Sequence, residues 1–262
     1  MKISVVIHTY NAEEYLSRVL DTVKDFDEIL ICDMYSTDKT IEIAENYGCR
    51  IIYHENVGYV EPARMYAISQ ATNDWILIVD ADELISLQLK DYLYNFVANN
   101  TTSDISAIKI PRKNYQLGRF MRSYYPDYVI RFVRKGNVVW PPILHAKPQI
   151  KGLIHTIPAK RKELAFIHLA NEPISVTIKK MNAYTDFEIT RERRRDKKYG
   201  FVNLLIEPFI RFLRLYLFKG GFRDGIPGFV WACEYAYYKF ITIAKSIEAK
   251  IEPKDIDPDL KN

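Results

Sequence analysis

The stretch WILIVDADE, residues 75–83, is an apolar run that stops on three carboxylates, Asp80, Asp82 and Glu83, with only Ala81 between the first two. Trp75 to Val79 has the length and unbroken apolar character of a strand covered on both faces. Carboxylates held this close repel one another unless something positive stands among them. Two aspartates two residues apart, just past a strand end, can turn toward one centre. Their hard oxygens suit Mg2+ or Mn2+, which needs few carboxylates when substrate phosphates complete its shell. A surface turn rich in Asp is the alternative that Asp-x-Asp alone leaves open.

The elements before this cluster alternate. Ile3–His8, Glu28–Cys32, Arg50–His54 and Trp75–Val79 read as strands, and Glu13–Val23, Thr37–Tyr47 and Glu61–Ala71 as the helices between them. Strict alternation predicts a mostly parallel sheet with helices on its faces, and ligands in such sheets bind beyond the carboxyl ends of the strands. Each of these strands ends on polar residues, namely His8-Thr9-Tyr10-Asn11, Asp33, His54-Glu55-Asn56 and the carboxylate cluster. The topology therefore brings four polar groups to one rim. After a helix near Leu87–Val97, strands at Ile105–Ile110, Tyr128–Val133 and Leu164–Leu169 are separated by long loops containing Pro111, Pro126 and Pro141-Pro142. From about Ile174 the pattern turns helical.

The chain has 262 residues, 48% of them hydrophobic, and a formal charge of +4. Residues 1–170 carry 20 basic and 20 acidic residues, whereas residues 171–262 carry 17 and 13, so the excess lies in the last third. That distribution suits a basic appendage facing an anionic surface and argues against a nucleic-acid-binding protein. Cys32, Cys49 and Cys233 form neither a CxxC pair nor a disulfide framework, which predicts a reducing, cytoplasmic setting. MKISVVIHTY is too soon interrupted by His8 and Asn11 to be a signal peptide.

SVVIHTYNAEEYL, ILICDMYSTDKT, VGYVEPARMYAISQA and WILIVDADE, in that order and spacing, together resemble a family 2 glycosyltransferase with the GT-A fold. The DADE ending is most similar to the lipopolysaccharide-core β-glucosyltransferase branch, with weaker support from the Tyr-Pro-Asp…Arg-Phe stretch, a His after Trp-Pro-Pro, and GGFRDGIPGFVWA. The resemblance implies an α/β, Rossmann-like mixed sheet with a C-terminal helical appendage. Residues 1–172 would be the catalytic domain (1–83 for the nucleotide sugar, 84–172 for the acceptor) and 173–262 a basic helical region.

The resemblance also implies roles. Thr9, Tyr10 and Asn11 would lie against the nucleotide, Asp33 would bind the base or ribose, and Arg64 would stand near the diphosphate. Asp80 and Asp82 would hold Mn2+ or Mg2+, with Asp80 also touching the nucleotide sugar, and Glu83 would orient ligands or the acceptor. Some GT-A enzymes recruit a late His to the metal. Of His145, His155 and His168, His145 is the first candidate because Pro141-Pro142 can fix its loop, a structural role being the alternative for each. Ser36 and Asp38 read as capping residues. Two departures stand out: Met65 where the family often has Asn, and His145-Ala146 where the related branch often has His-Glu.

An inverting transfer needs a base for the acceptor hydroxyl. Asp127, in YYPDYVIRF, is the first candidate and Glu83 the second; pairing of Asp127 with Arg131 or Arg122 is the structural alternative. Residues 201–218, FVNLLIEPFIRFLRLYLF, are apolar but interrupted by Glu207, Pro208, Arg211 and Arg214. Too broken for a span of ~20 apolar residues, this segment suits the interface of an anionic membrane, helped by RERRRDKK at 191–198. A helix packed on the catalytic domain is the alternative. The expected function is metal-dependent, inverting transfer of one sugar from a nucleotide-sugar donor (a UDP-sugar by preference) to a lipid-linked or cell-envelope glycan. The protein would then be cytoplasmic and peripheral on the inner face of the membrane. A processive synthase is disfavoured because Gln-x-x-Arg-Trp is absent. The reading from another class is a catalytically silent protein of this fold acting as a membrane-associated binding partner, kept open by His145-Ala146.

Overall fold

The computed structural model describes residues 1–100, 104–169, 173–190 and 199–250. The basic run 191–198 and the tail 252–262 thus lie outside the described residues. Strands β1 (Ile3–Thr9), β2 (Glu28–Asp33), β3 (Arg50–Tyr53) and β4 (Trp75–Asp80) alternate with helices α1 (Leu16–Val23), α2 (Thr40–Asn46) and α3 (Glu61–Gln70). There follow β5 (Glu83–Leu84), α4 (Leu87–Asn99), β6 (Ile105–Gln116), β7 (Arg119–Phe120), β8 (Asp127–Arg134), β9 (Val138–Val139), β10 (Gln149–Ile150), β11 (Leu153–Thr156) and β12 (Phe166–His168). The main sheet runs β3-β2-β1-β4-β8-β6-β12-β5. Its β1–β4 half is parallel, and β8 enters antiparallel to both β4 and β6.

Apolar strands without alternation are explained by two covered faces. Val5, Ile7, Leu77 and Val79 pack with Leu16, Leu20, Leu89 and Leu93 from α1 and α4. Their neighbours Val6, Ile76 and Ile78 point the other way, against Ala63, Ala67 and Ile68 of α3 and against Trp140.

Several boundaries shift from expectation, and three of the shifts have a clear physical reason. Glu13 does not open α1, because its N–H donates to Asp38 and its carboxylate accepts from the Lys39 N–H, tying the residue to the β2–α2 loop. Strand β6 does not stop at Ile110; it continues through Pro111, which stands opposite Tyr128 in the ladder with β8. Leu164 lies in a short 3-10 turn, so β12 starts at Phe166.

The chain divides into two compact units, Met1–Tyr115 with Tyr124–Ala170, and Gln116–Ser123 with Asn171–Asn262. The second contains α5 (Ile174–Thr190), α6 (Phe201–Leu213), a π-helical turn at Arg214–Phe218 and α7 (Ile226–Glu248). Buried Asp224 accepts from the backbone N–H groups of Arg122 and Ser123 (3.0 and 2.9 Å), holding the 116–123 hairpin. Lys245 on α7 donates to the Asn182 carbonyl and the Thr185 hydroxyl on α5 (2.9 and 3.0 Å). No helix among the described residues is long and apolar enough to cross a membrane.

At the amino ends of the parallel strands, Glu28 joins three elements. It accepts from the Ser4 hydroxyl on β1, from both the N–H and the hydroxyl of Thr72 (2.7 Å each), and from Arg50 on β3 (3.1 Å). Burial by itself would raise its carboxyl, but these donors outweigh burial and lower it from its ordinary 4.5. A carboxyl lowered in the folded state contributes stability that is present above the unfolded value and lost as pH falls through the folded one. Glu28→Gln should therefore cost about 1–2 kcal/mol at neutral pH, the scale of hydrogen bonds to a charged group. The melting difference from wild type should shrink below about pH 4.5, and a gap that persists undiminished at pH 3 would contradict this assignment.

Candidate active site

The carboxyl ends of β1 to β4 come together as a rim. At β1 and β2, the Thr9 hydroxyl donates to Asp33 Oδ1 (2.7 Å), and Asp33 also accepts from the hydroxyl and N–H of Ser36 (2.6 and 2.8 Å). Asp33 is fully buried, and this structure uses it to build the turn after β2. Asn11, in a left-handed conformation (φ 49°), donates its N–H to the Ser36 hydroxyl and accepts from the Thr37 N–H (2.9 and 2.8 Å). Asp38 takes the N–H groups of Thr40 and Glu13 (3.0 and 3.1 Å). The rim also exposes aromatic faces: Tyr10, and Tyr35 stacked on Tyr53 at 5.5 Å between ring centres. Tyr35 has φ 61°, unusual for a bulky side chain and worth about 1–3 kcal/mol of strain.

The three carboxylates at the end of β4 have different partners. Asp80 lies between two guanidinium groups, Arg64 at 3.3 Å and Arg131 in closer contact. Both arginines stand over the Trp140 ring, at 4.6 and 5.8 Å from its centre. Burial would raise the Asp80 carboxyl, but Arg131 and Arg64 hold it far below the usual carboxylate range. His8, level with Asp80 in the β1–β4 register, is 6% exposed; burial, reinforced by Arg64, lowers it to about 3, so its imidazole is neutral. Glu83 is fully buried, its Oε1 accepting from Arg112 (3.0 Å) and its Oε2 from the Asp80 N–H (3.1 Å). A carboxylate so enclosed cannot meet an acceptor hydroxyl, which counts against Glu83 as a base and suits it to holding the strand end.

Asp82 faces His168, its Oδ2 lying 3.3 Å from Nε2, with the two side chains 31% and 20% exposed. The topology creates this pair. β5 begins at Glu83 and runs antiparallel to β12, so His168 stands opposite Glu83; β12 also pairs with β6, which sets His168 beside Asn114. Burial would lower the imidazole, but the hydrogen bond and charge of Asp82 raise it. The other late histidines lie elsewhere. His155 meets the Tyr92 hydroxyl at 2.8 Å. His145 is an exposed residue with φ 60°, whose backbone N–H donates to buried Glu61 (2.8 Å). No group of three His, Cys, Asp or Glu side chains among the described residues is arranged to hold a metal ion; of the expected ligands, Asp80 is taken up by Arg64 and Arg131, and the His145 backbone is held by Glu61.

Asp127 opens β8. Its Oδ2 receives Arg112 Nε and Nη2 (2.9 and 2.5 Å) and Asn114 Nδ2 (3.1 Å), and none of the three contacts falls on Oδ1. The partner foreseen from sequence was Arg131 or Arg122; the fold gives it Arg112, directly opposite in the β6–β8 ladder. Arg112 thus bridges Asp127 and Glu83, and Asn114 bridges Asp127 and His168.

The profile described as Glycosyl transferase family 2 matches residues 4–155, more than half of the chain. The chain belongs to glycosyl transferase family 2. Over 97% of its length it is 26% identical to an uncharacterized glycosyltransferase of Rickettsia typhi, covering 90% of that protein. Over 94% it is 26% identical to the lipopolysaccharide core biosynthesis glycosyltransferase LpsC of Rhizobium meliloti, covering 92%. Among solved structures it is similar to the mannosyltransferase PcManGT of Pyrobaculum calidifontis in complex with GDP-mannose and Mn2+. That likeness has a TM-score of 0.53 at 14% identity, covering 95% of this chain and 88% of the other. The fold of this family 2 member is GT-A, and it is a glycosyltransferase.

Proposed function

We propose that this family 2 enzyme transfers one sugar, with inversion, from a nucleotide-sugar donor to a hydroxyl of a lipid-linked or cell-envelope glycan, using a divalent cation held by Asp82 and His168. The donor class draws on the PcManGT complex with GDP-mannose, and the envelope acceptor on the likeness to LpsC. A UDP-sugar is the first donor to try, and the working place is the membrane surface where such acceptors lie.

The observation that carries the metal assignment is a lone-pair argument. Asp127 Oδ2 can only accept, so Asn114 turns its NH2 toward it and its carbonyl oxygen toward His168 Nδ1 (2.7 Å). Nδ1 must then carry the proton. The lone pair of Nε2 is left facing Asp82 Oδ2, and two acceptors 3.3 Å apart need a cation, either a proton or a metal ion, between or beside them. His and Asp with a backing amide are a fitting donor set for Mn2+, whose remaining positions would go to donor phosphates and water. When bound, such an ion neutralises charge gathering on the departing diphosphate.

The rest is done by side chains. Arg64 and Arg131 flank Asp80, and their guanidinium groups are suited to an anionic donor. Asp127, oriented through Oδ2 by Arg112, keeps Oδ1 for the proton of the acceptor hydroxyl. Tyr10 and the Tyr35–Tyr53 stack offer faces for a base.

Thermal shift against a panel of nucleotide sugars, with and without Mn2+, should show stabilisation by one donor class that grows when Mn2+ is present. The same donor should slowly release nucleoside diphosphate without any acceptor, in a metal-dependent way. A chain that responds to no nucleotide sugar under either condition would sink the proposal.

A further inference from the structure

We propose that the second unit carries a membrane-docking face, made by the outer side of α6 and the turn that follows it, which seats on a bilayer containing anionic lipid. The inference uses no part of the donor site.

Helix α6 is apolar on both sides. Leu204, Pro208 and Phe212 are half-buried, while Phe201, Val202, Leu205, Ile206, Phe209 and Ile210 are 49–73% exposed. Those six recur at the i, i+1, i+4, i+5 spacing of a single helix face. The exposed apolar series continues within the π-helical turn at Leu217 and Phe218 (84% exposed) and beyond it at Phe222 and Ile226 (75%). Scattered exposed apolar residues need no explanation, but a clustered series of this size marks a contact surface.

Charge identifies the occupant. The exposed charged residues between 199 and 230 are Arg214, Lys219 and Arg223, all cationic. The two acids in this stretch face inward: Glu207 pairs with Lys239 on α7 (2.7 Å), and buried Asp224 caps the backbone of Arg122 and Ser123. That bond brings Arg122 to the same turn, and Arg119 joins it, since a Cβ on Gly225 would lie 3.7 Å from an Arg119 guanidinium nitrogen. An apolar face with an all-cationic border complements anionic headgroups over acyl chains. A two-fold pairing with a second copy would instead set those cations against themselves. At 13 residues α6 is about 20 Å long, short of the ~30 Å hydrocarbon core, so it would lie in the interface without spanning it.

The test is co-sedimentation of the full chain with phosphatidylcholine vesicles made with and without phosphatidylglycerol, at low and high salt. Binding should require phosphatidylglycerol and weaken with salt. Lys219→Glu with Arg223→Glu should lower the partition coefficient about tenfold or more, at roughly one headgroup contact per cation. Phe209→Ser with Phe218→Ser should do the same by removing inserted rings. Both positions are exposed, so melting temperature and nucleotide binding should stay at wild-type levels. Equal recovery with both vesicle types, or unchanged binding in both variants, would overturn the proposal. So would a wild-type dimer that the phenylalanine variant converts to a monomer without any vesicle binding, since the face would then belong to a second copy.

Discussion

Asp127→Asn is expected to bind donor within a few fold of wild type and to lose about 10²–10⁴ in the rate of transfer, the usual worth of a well-placed general base. Asparagine keeps an oxygen that can accept from Arg112 and Asn114, so the hydrogen bonds around position 127 can survive the change. What is lost is the capacity to take a proton. Donor affinity comes from calorimetry with the nucleoside diphosphate and Mn2+, and transfer from acceptor-dependent release of nucleoside diphosphate. The competing role for Asp127 is counter-ion to Arg112, which is also paired with Glu83. Were that its whole contribution, Asp127→Asn would lower the melting temperature and donor affinity together while transfer per bound donor stayed within a few fold.

Local pattern was enough for the first half of the fold. Period, strand length and strict alternation depend on neighbours within a few residues, and β1 to β4 with α1 to α4 follow from them. Glu13 shows where locality fails: its helix-forming character lost to two hydrogen bonds with Asp38 and Lys39, some 25 residues away. β5 is two residues long and carries no periodic signal, yet its pairing with β12 decides which histidine meets Asp82.

The site divides along the same line. That positive charge belongs beside the carboxylates was expected from their crowding at the end of a buried strand, whereas the identity of each partner was not. Arg131, Arg112 and Asn114 come from strands well beyond the cluster, and no spacing in the sequence marks them. His168 was among three late histidines, of which a proline pair favoured His145. The fold spends that loop on Glu61, which holds the His145 backbone. Asp33 was read as a ligand for base or ribose; the fold also gives it the turn after β2, a second task visible only once Thr9 and Ser36 are in place.

Removing the two aspartates of the cluster should have opposite consequences. Asp82→Ala and His168→Ala should each abolish the Mn2+-dependent part of nucleoside diphosphate binding while the melting temperature of the metal-free protein changes little. Both side chains are partly exposed, and neither leaves a buried charge behind. Loss of a direct ligand should exceed the roughly 10–100-fold that loss of a supporting residue costs in metal affinity. The double variant should be no worse than either single one, because the two act as a unit. His145→Ala should keep the metal effect. Asp80→Ala, by contrast, strips the carboxylate from between Arg64 and Arg131, whose side chains are 5% and 8% exposed. Two nearly buried like charges then face each other with only Glu61, beside Arg64, left to offset them, at a cost of roughly 3 kcal/mol or more. Calorimetry with and without Mn2+, beside thermal melting of all five variants, separates these outcomes. Metal-dependent binding that survives Asp82→Ala and His168→Ala but disappears in His145→Ala would return the metal to the 141–146 loop. An Asp80→Ala protein as stable as wild type would show that the two arginines do not depend on that carboxylate.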